Sequence, residues 1–245
     1  MAADVLDRAS RSARSLFSLN RGREFSSLCT MLELEPRDAL LDVGSGDGYL
    51  TARFSRRVGH VTGLEPDDAL IGHARKFNRG RNIRYEQGLA EALPFPDATF
   101  EKVVSVSSVE HFRDPVRGLG EMFRVLRPGG RLAVSVDALC PENSTIDFRQ
   151  WHAPRHQATR YFREKELVSI LTEIGFRVDG PVVHMFRSPL ARWARETFIR
   201  QPRVLLPLFP LFRALVALGD VLPSRNHGQI IALGAARSPR AESRQ

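Results

Sequence analysis

Short apolar runs alternate along this chain with stretches of helical spacing, and that alternation leaves few architectures open. The runs at 39–43, 58–64, 83–87, 102–106 and 131–136 share one character, a brief apolar stretch bounded by turn residues. The clearest helical pattern follows Asp114-Pro115, a cap and first-turn pair. Leu119, Met122, Phe123 and Leu126 then recur at i, i+3, i+4 and i+7. Arg127-Pro128-Gly129-Gly130 is a turn signal that ends it before the next strand. A second helix, 163–174, carries Leu167, Ile170, Leu171 and Ile174, and Gly175 closes it. Two later runs, 177–186 and 229–236, bring the strands to seven.

The order predicts an α/β fold, a seven-stranded, mostly parallel sheet with helices on both faces. In such sheets ligands bind beyond the carboxyl ends of the strands. Two long segments, 137–162 and 187–228, leave strand ends of that kind and are expected on the ligand side. Cys29 and Cys140 stand alone, with no spacing that suggests a disulfide framework or a structural zinc site. The first 23 residues mix Asp4 and Asp7 with five arginines and never run apolar, so no signal peptide is read and a cytoplasmic location is expected. Net charge is +8, with 36 basic against 28 acidic residues. That permits an anionic partner without naming one.

Leu40-Leu41-Asp42-Val43-Gly44-Ser45-Gly46-Asp47-Gly48-Tyr49 sets closely spaced glycines between a buried strand and a helix start. Glycine lets backbone turn sharply and approach a ligand with no Cβ in the way. Asp42 precedes the loop, and Glu65 ends the second strand, where a carboxylate can accept both ribose hydroxyls. A dinucleotide loop reads GxGxxG so that pyrophosphate sits on a helix amino end. This one reads DxGxGxG with Asp42 and Asp47 beside it, and acid suits a cationic, phosphate-free ligand.

With these features the chain resembles the class I S-adenosylmethionine-dependent methyltransferases, in particular the small-molecule, methyltransferase type 11-like group. The likeness covers 38–137, through Gly88-Leu89-Ala90-Glu91-Ala92-Leu93-Pro94-Phe95, Glu110-His111 and Arg127-Pro128-Gly129-Gly130. It implies a Rossmann-like fold and S-adenosyl-L-methionine as cofactor. Gly44, Gly46 and Gly48 would approach the methionine and ribose part, Asp42 the amino end and Glu65 the ribose, with Leu89 and Ala90 bordering the adenine. Many relatives have an acidic residue at the position of Leu89. Here the adenine would rely on apolar contact, the Ala90 backbone or Glu91.

The expected organisation is one domain over 1–245. It divides into an N-terminal helical segment 1–37, a cofactor-binding core 38–137, acceptor-side caps 137–162 and 187–228, and a polar tail 237–245. Transfer to an oxygen or carbon acid needs a base. His111 is the first candidate, its alternative being a loop-shaping role; His152 and His156, with Tyr161, follow in the segment after strand five. No metal cluster is apparent. The (Asn/Asp)-Pro-Pro-aromatic tetrapeptide of nucleobase amino-methylating enzymes is absent from Ser105–Ser108. Nucleic acid is therefore disfavoured.

Residues 177–245 hold eleven arginines and four acids, interleaved with aliphatics. From Ser188-Pro189 a helix is expected with Leu190, Trp193, Ala194 and Phe198 on one stripe, and Arg192 and Arg195 off it. Three readings stand: a lid packed on the core, an apolar acceptor pocket whose rim meets an anionic membrane surface, and nucleic-acid binding. The expected acceptor is a small molecule, apolar or lipid-linked, methylated on oxygen or carbon. The alternatives are an RNA- or protein-modifying enzyme and a non-catalytic S-adenosylmethionine-binding protein.

Overall fold

The computed structural model describes residues 18–222, 224 and 227–238. Most of the N-terminal segment before Arg21 and of the tail after Arg237 lies outside the described residues. Chain order is α1 (Arg21–Leu32), β1 (Ala39–Val43), α2 (Tyr49–Phe54), β2 (His60–Glu65), α3 (Asp68–Phe77), β3 (Ile83–Gln87) and β4 (Phe100–Val106). Then come α4 (Pro115–Val125), β5 (Leu126–Asp137), α5 (Ile146–His156), α6 (Glu164–Ile174), β6 (Phe176–Met185), α7 (Pro189–Arg200), α8 (Pro202–Leu205), α9 (Phe209–Val221) and β7 (Ile230–Arg237).

The seven strands form one sheet in the order β3-β2-β1-β4-β5-β7-β6. Only β7 runs against its neighbours. Successive strand residues serve opposite faces, as strand pleating requires. Leu41, Val103 and Leu132 join the core under α4 and α6, whereas Leu40, Val104 and Ala133 join the core under α1, α2 and α7. The fold is the α/β Rossmann-like sheet that the alternation predicts.

Three local expectations change. The Pro128-Gly129-Gly130 turn does not precede β5 but lies inside it: pairing jumps from Phe100↔Leu126 to Lys102↔Arg131, so the turn bulges out of a continuing strand. Gly129 takes φ of 80° there, which suits a residue without a Cβ. Segment 137–162 contains α5, capped by the Thr145 hydroxyl, which accepts from the Phe148 N–H at 3.1 Å. Pro154 near its end and a weak apolar spacing hide that helix in the sequence.

The third change concerns α7. Ala191, Ala194, Arg195 and Phe198 face inward, and Trp193 is 55% exposed. Arg195, expected off the buried stripe, is only 5% exposed because Asp137 and Gln229 receive its guanidinium.

Candidate functional site

The loop between β1 and α2 bends through three glycines with positive φ: Gly44 at 77°, Gly46 at 56° and Gly48 at 79°. Their reasons differ. A Cβ on Gly44 would sit 2.6 Å from Ser108, and one on Gly48 would meet the Tyr85 hydroxyl at 2.4 Å. At Gly46 no described residue beyond its chain neighbours comes within 4 Å of that position, so its free side opens outward. Gly48 accordingly serves packing against Tyr85 and does not border the cavity that Gly44 and Gly46 line.

That cavity, about 780 Å³, lies within the range of small-molecule sites. Asp42, Gly44, Gly46, Glu65, Leu89 and Ala90 border it, as do His111 and His156. The structure brings the glycine loop, the carboxylate at the end of β2 and two of the three candidate bases to one space.

Glu65 is held across the loop. Its Oε2 accepts from the Gly46 N–H at 2.9 Å and its Oε1 from the Asp67 N–H at 3.1 Å. Burial raises its pKa, and the two N–H groups oppose that rise. Asp42 is more deeply enclosed. Burial lifts its pKa to about 6 against the Thr51 hydroxyl, which donates to it at 2.6 Å, and the positive charge of Arg21.

Arg21 and Ser45 also line the cavity, and neither was legible beforehand. Ser45 Oγ is buried with no hydrogen-bond partner among the described residues, so it is a polar atom available to a ligand. Arg21 comes from a helix remote in sequence, which no loop motif announces. Glu24 on the same helix receives the hydroxyls of Ser107 and Ser135 at 2.7 and 3.1 Å, supporting the wall where Ser107 takes φ of 46°. Leu89 is 43% exposed on the cavity, as an apolar surface for a ring would be. Glu91 spends Oε1 on the N–H groups of Arg113 and Asp114, at 2.8 and 3.2 Å.

The histidines separate. His111 Nδ1 lies 3.1 Å from the Gln157 carbonyl, and since a carbonyl only accepts, Nδ1 carries the proton and Nε2 keeps a lone pair. His156 lines the cavity as an exposed residue, and partial desolvation of its ring lowers its pKa. His152 is a correction: it is buried behind His156, their rings stacked at 4.1 Å, and does not border the cavity. Its Nδ1 pairs with the Tyr161 hydroxyl at 3.0 Å, its Nε2 faces Asp137 at 3.6 Å, and burial brings its pKa down to about 4.

No described residue of 187–228 borders the cavity. The segment instead packs α7 and α9 against the core shared with α1. One trio, Glu164, His184 and His227, was not foreseen; its ligand atoms lie within 4.8 Å of one another, away from the glycine loop. His184 Nδ1 accepts from the Gly228 N–H at 3.3 Å, which leaves the proton on Nε2 facing Glu164 at 3.1 Å. That pattern is a hydrogen-bonded pair, and it occupies the nitrogen a metal would need.

Residues 41–134 match the family model described as a methyltransferase domain. The chain is 30% identical over 149 residues to the uncharacterized methyltransferase YcgJ of Bacillus subtilis, covering 60% of this chain and 58% of that protein. It is 38% identical over 123 residues to the ubiquinone/menaquinone biosynthesis C-methyltransferase UbiE of Cronobacter sakazakii, covering 46% of this chain and 49% of the other. The chain thus spans about half the length of the curated relatives it matches. In fold it is similar to the geranyl diphosphate C-methyltransferase of Streptomyces coelicolor. The TM-score is 0.66 at 16% identity, over 89% of this chain and 77% of that one.

Proposed function

We infer, for a chain whose residues 41–134 match a methyltransferase domain, that its cavity transfers a methyl group from S-adenosyl-L-methionine to a small apolar acceptor. The observation that carries the reading is the composition of one continuous cavity. It joins the open side of Gly46, the unpartnered Ser45 hydroxyl and the locked Glu65 carboxylate to His111 and His156.

The residues present fit the cofactor. Glu65 is pre-oriented by two backbone N–H groups and retains acceptor capacity for a pair of ribose hydroxyls. Leu89 and Ala90 offer an apolar edge to the adenine. Glu91 also lines the cavity; backbone N–H groups engage its Oε1, and Oε2 keeps acceptor capacity for the adenine amino group beside that apolar contact. Arg21 supplies the cation for the methionine carboxylate, and Asp42 the negative charge for the ammonium.

When bound, the cofactor supplies an electrophilic methyl on a sulfonium, which loses its positive charge as the methyl leaves. The protein's part is positioning, exclusion of water and removal of a proton from an oxygen or carbon acid. His111 is suited to the last, since Gln157 holds its tautomer with Nε2 as the basic nitrogen. His156, which is exposed on the cavity and whose pKa is lowered by partial desolvation, is the second candidate. An apolar acceptor methylated on carbon accords with the name of the ubiquinone/menaquinone biosynthesis C-methyltransferase relative.

Incubating the protein with S-adenosylmethionine and either a lipid or an aqueous metabolite extract tests this by mass spectrometry. A cofactor-dependent product heavier by one CH2 in the lipid extract is expected. A protein that binds S-adenosylhomocysteine yet methylates nothing in either extract would be a binding protein; a product confined to the aqueous extract would overturn the apolar acceptor.

A further inference from the structure

We propose that the outer face of α8 and α9, with Trp193 of α7, docks on an anionic lipid bilayer at its headgroup interface. The stretch Pro202–Val221 is long and apolar enough to cross a membrane by length and composition, with mean hydropathy 1.8 and 22% of its window buried. A helix apolar all round belongs inside a protein or in contact with lipid. Here only one side is inside: Phe209, Phe212 and Val216 pack on the core.

The opposite side of α9 carries Leu211, Ala214, Leu218 and Val221 at i, i+3, i+7 and i+10, all exposed. Val204 precedes them at 72% exposure, and Trp193 stacks on Phe212 with ring centroids 6.1 Å apart. Among the described residues, eight of the eleven large exposed apolar side chains fall in the stretch from Trp193 to Leu222. Such concentration exceeds the scatter of an ordinary soluble surface.

Charge selects the occupant. Arg203 and Arg213 are exposed beside the apolar stripe. The only acids of 187–222 turn away from it: Glu196 accepts from Gln229, and Asp220 accepts from the Arg187 N–H at 3.0 Å and from Arg23. Leucines and a tryptophan rimmed by arginine, with no acid on the surface, match an anionic interface. The segment lies on a bilayer rather than through it, since Pro207, Pro210 and Arg213 interrupt it and its other side is committed to the core. Asp220 binds Arg23, two residues from the Arg21 that lines the cavity, so the docking face is braced against a cavity wall. The docking does not rest on the methyl-transfer reading.

The test is flotation of the full chain with phosphatidylcholine vesicles, with and without phosphatidylglycerol, alongside S-adenosylhomocysteine titration of the same samples. The chain should float with the anionic vesicles and be released by salt. Leu211→Glu/Leu218→Glu and Arg203→Glu/Arg213→Glu should each weaken vesicle binding by about tenfold or more, with S-adenosylhomocysteine affinity unchanged. Flotation without S-adenosylhomocysteine binding supports the docking and contradicts the functional reading. The proposal is overturned if the parent binds S-adenosylhomocysteine but never floats, or if both double variants float like the parent. A concentration-dependent dimer dissolved by Leu218→Glu would assign the face to a second copy and overturn it equally.

Discussion

The Arg195 guanidinium lies 2.9 Å from Asp137 Oδ1, both side chains buried, and this pair ties α7 to the end of the central strand β5. Gln229 Oε1 accepts from the other guanidinium nitrogen at 3.0 Å. Arg195→Ala leaves Asp137 uncompensated and should cost about 3–5 kcal/mol, as breaking a buried pair does. Arg192, whose guanidinium reaches only backbone carbonyls, should give an alanine variant within about 0.5 kcal/mol of the parent. Urea denaturation of both variants checks the contrast.

Glu110 predicts a pH dependence. Its Oε1 accepts from the Asp137 N–H at 3.0 Å, while Oε2 is buried without a partner among the described residues. Burial first, then the Asp137 charge, raises its pKa to well above the carboxylate range. The folded chain thus keeps a proton that the unfolded chain has released, so this group's contribution is full at acid pH and is lost as pH rises. Glu110→Gln should gain stability relative to the parent with increasing pH, read as the difference in Tm across a pH series. A constant difference would contradict the assignment.

His152 acts with the opposite sign. Its folded pKa of about 4 lies below the ordinary histidine value of about 6.5, so the unfolded chain binds the proton first and stability falls as pH drops between those values. His152→Ala should destabilise by about 1–3 kcal/mol through the lost Tyr161 bond. His111→Ala should leave Tm nearly unchanged and lower turnover by about 10²–10⁴-fold, the usual contribution of a positioned base. Equal turnover losses in the two variants would assign both to positioning.

The contrast among these histidines shows what the sequence carries. The strand segments along the chain and the glycine loop were legible because the signals are local: apolar runs, turn residues and closely spaced glycines; the order of the strands in the sheet and the reversed β7 depend on long-range pairing and were not. His111 follows β4 by a few residues and so had to fall near the strand ends. His152 and His156 share one segment, but which of them meets the cavity depends on α5, a helix that Pro154 disguises. Arg195 is buried against the apolar-stripe expectation because its partner Asp137 is distant in sequence and no helical spacing marks it. Arg21 and Ser45 had no motif to mark them; a long-range fold contact and an unpaired hydroxyl are visible only in three dimensions.

Arg21 gives a prediction that separates the two ends of the ligand. Arg21→Ala should weaken S-adenosylhomocysteine by about 10- to 100-fold, the range for a hydrogen bond to a charged group, and leave 5′-methylthioadenosine, which lacks the amino-acid carboxylate, unaffected. Equal weakening of both would place Arg21 elsewhere on the ligand.

Calorimetric titration with S-adenosylhomocysteine, run on the parent and on Glu65→Ala, tests the central claim most directly, because Glu65 is locked to the Gly46 and Asp67 N–H groups for that purpose. The account predicts one saturable site in the parent and a loss of about 1–3 kcal/mol in Glu65→Ala. NAD should give no heat. Absence of heat with S-adenosylhomocysteine in the folded parent, tight binding of NAD, or identical affinity in Glu65→Ala would contradict it.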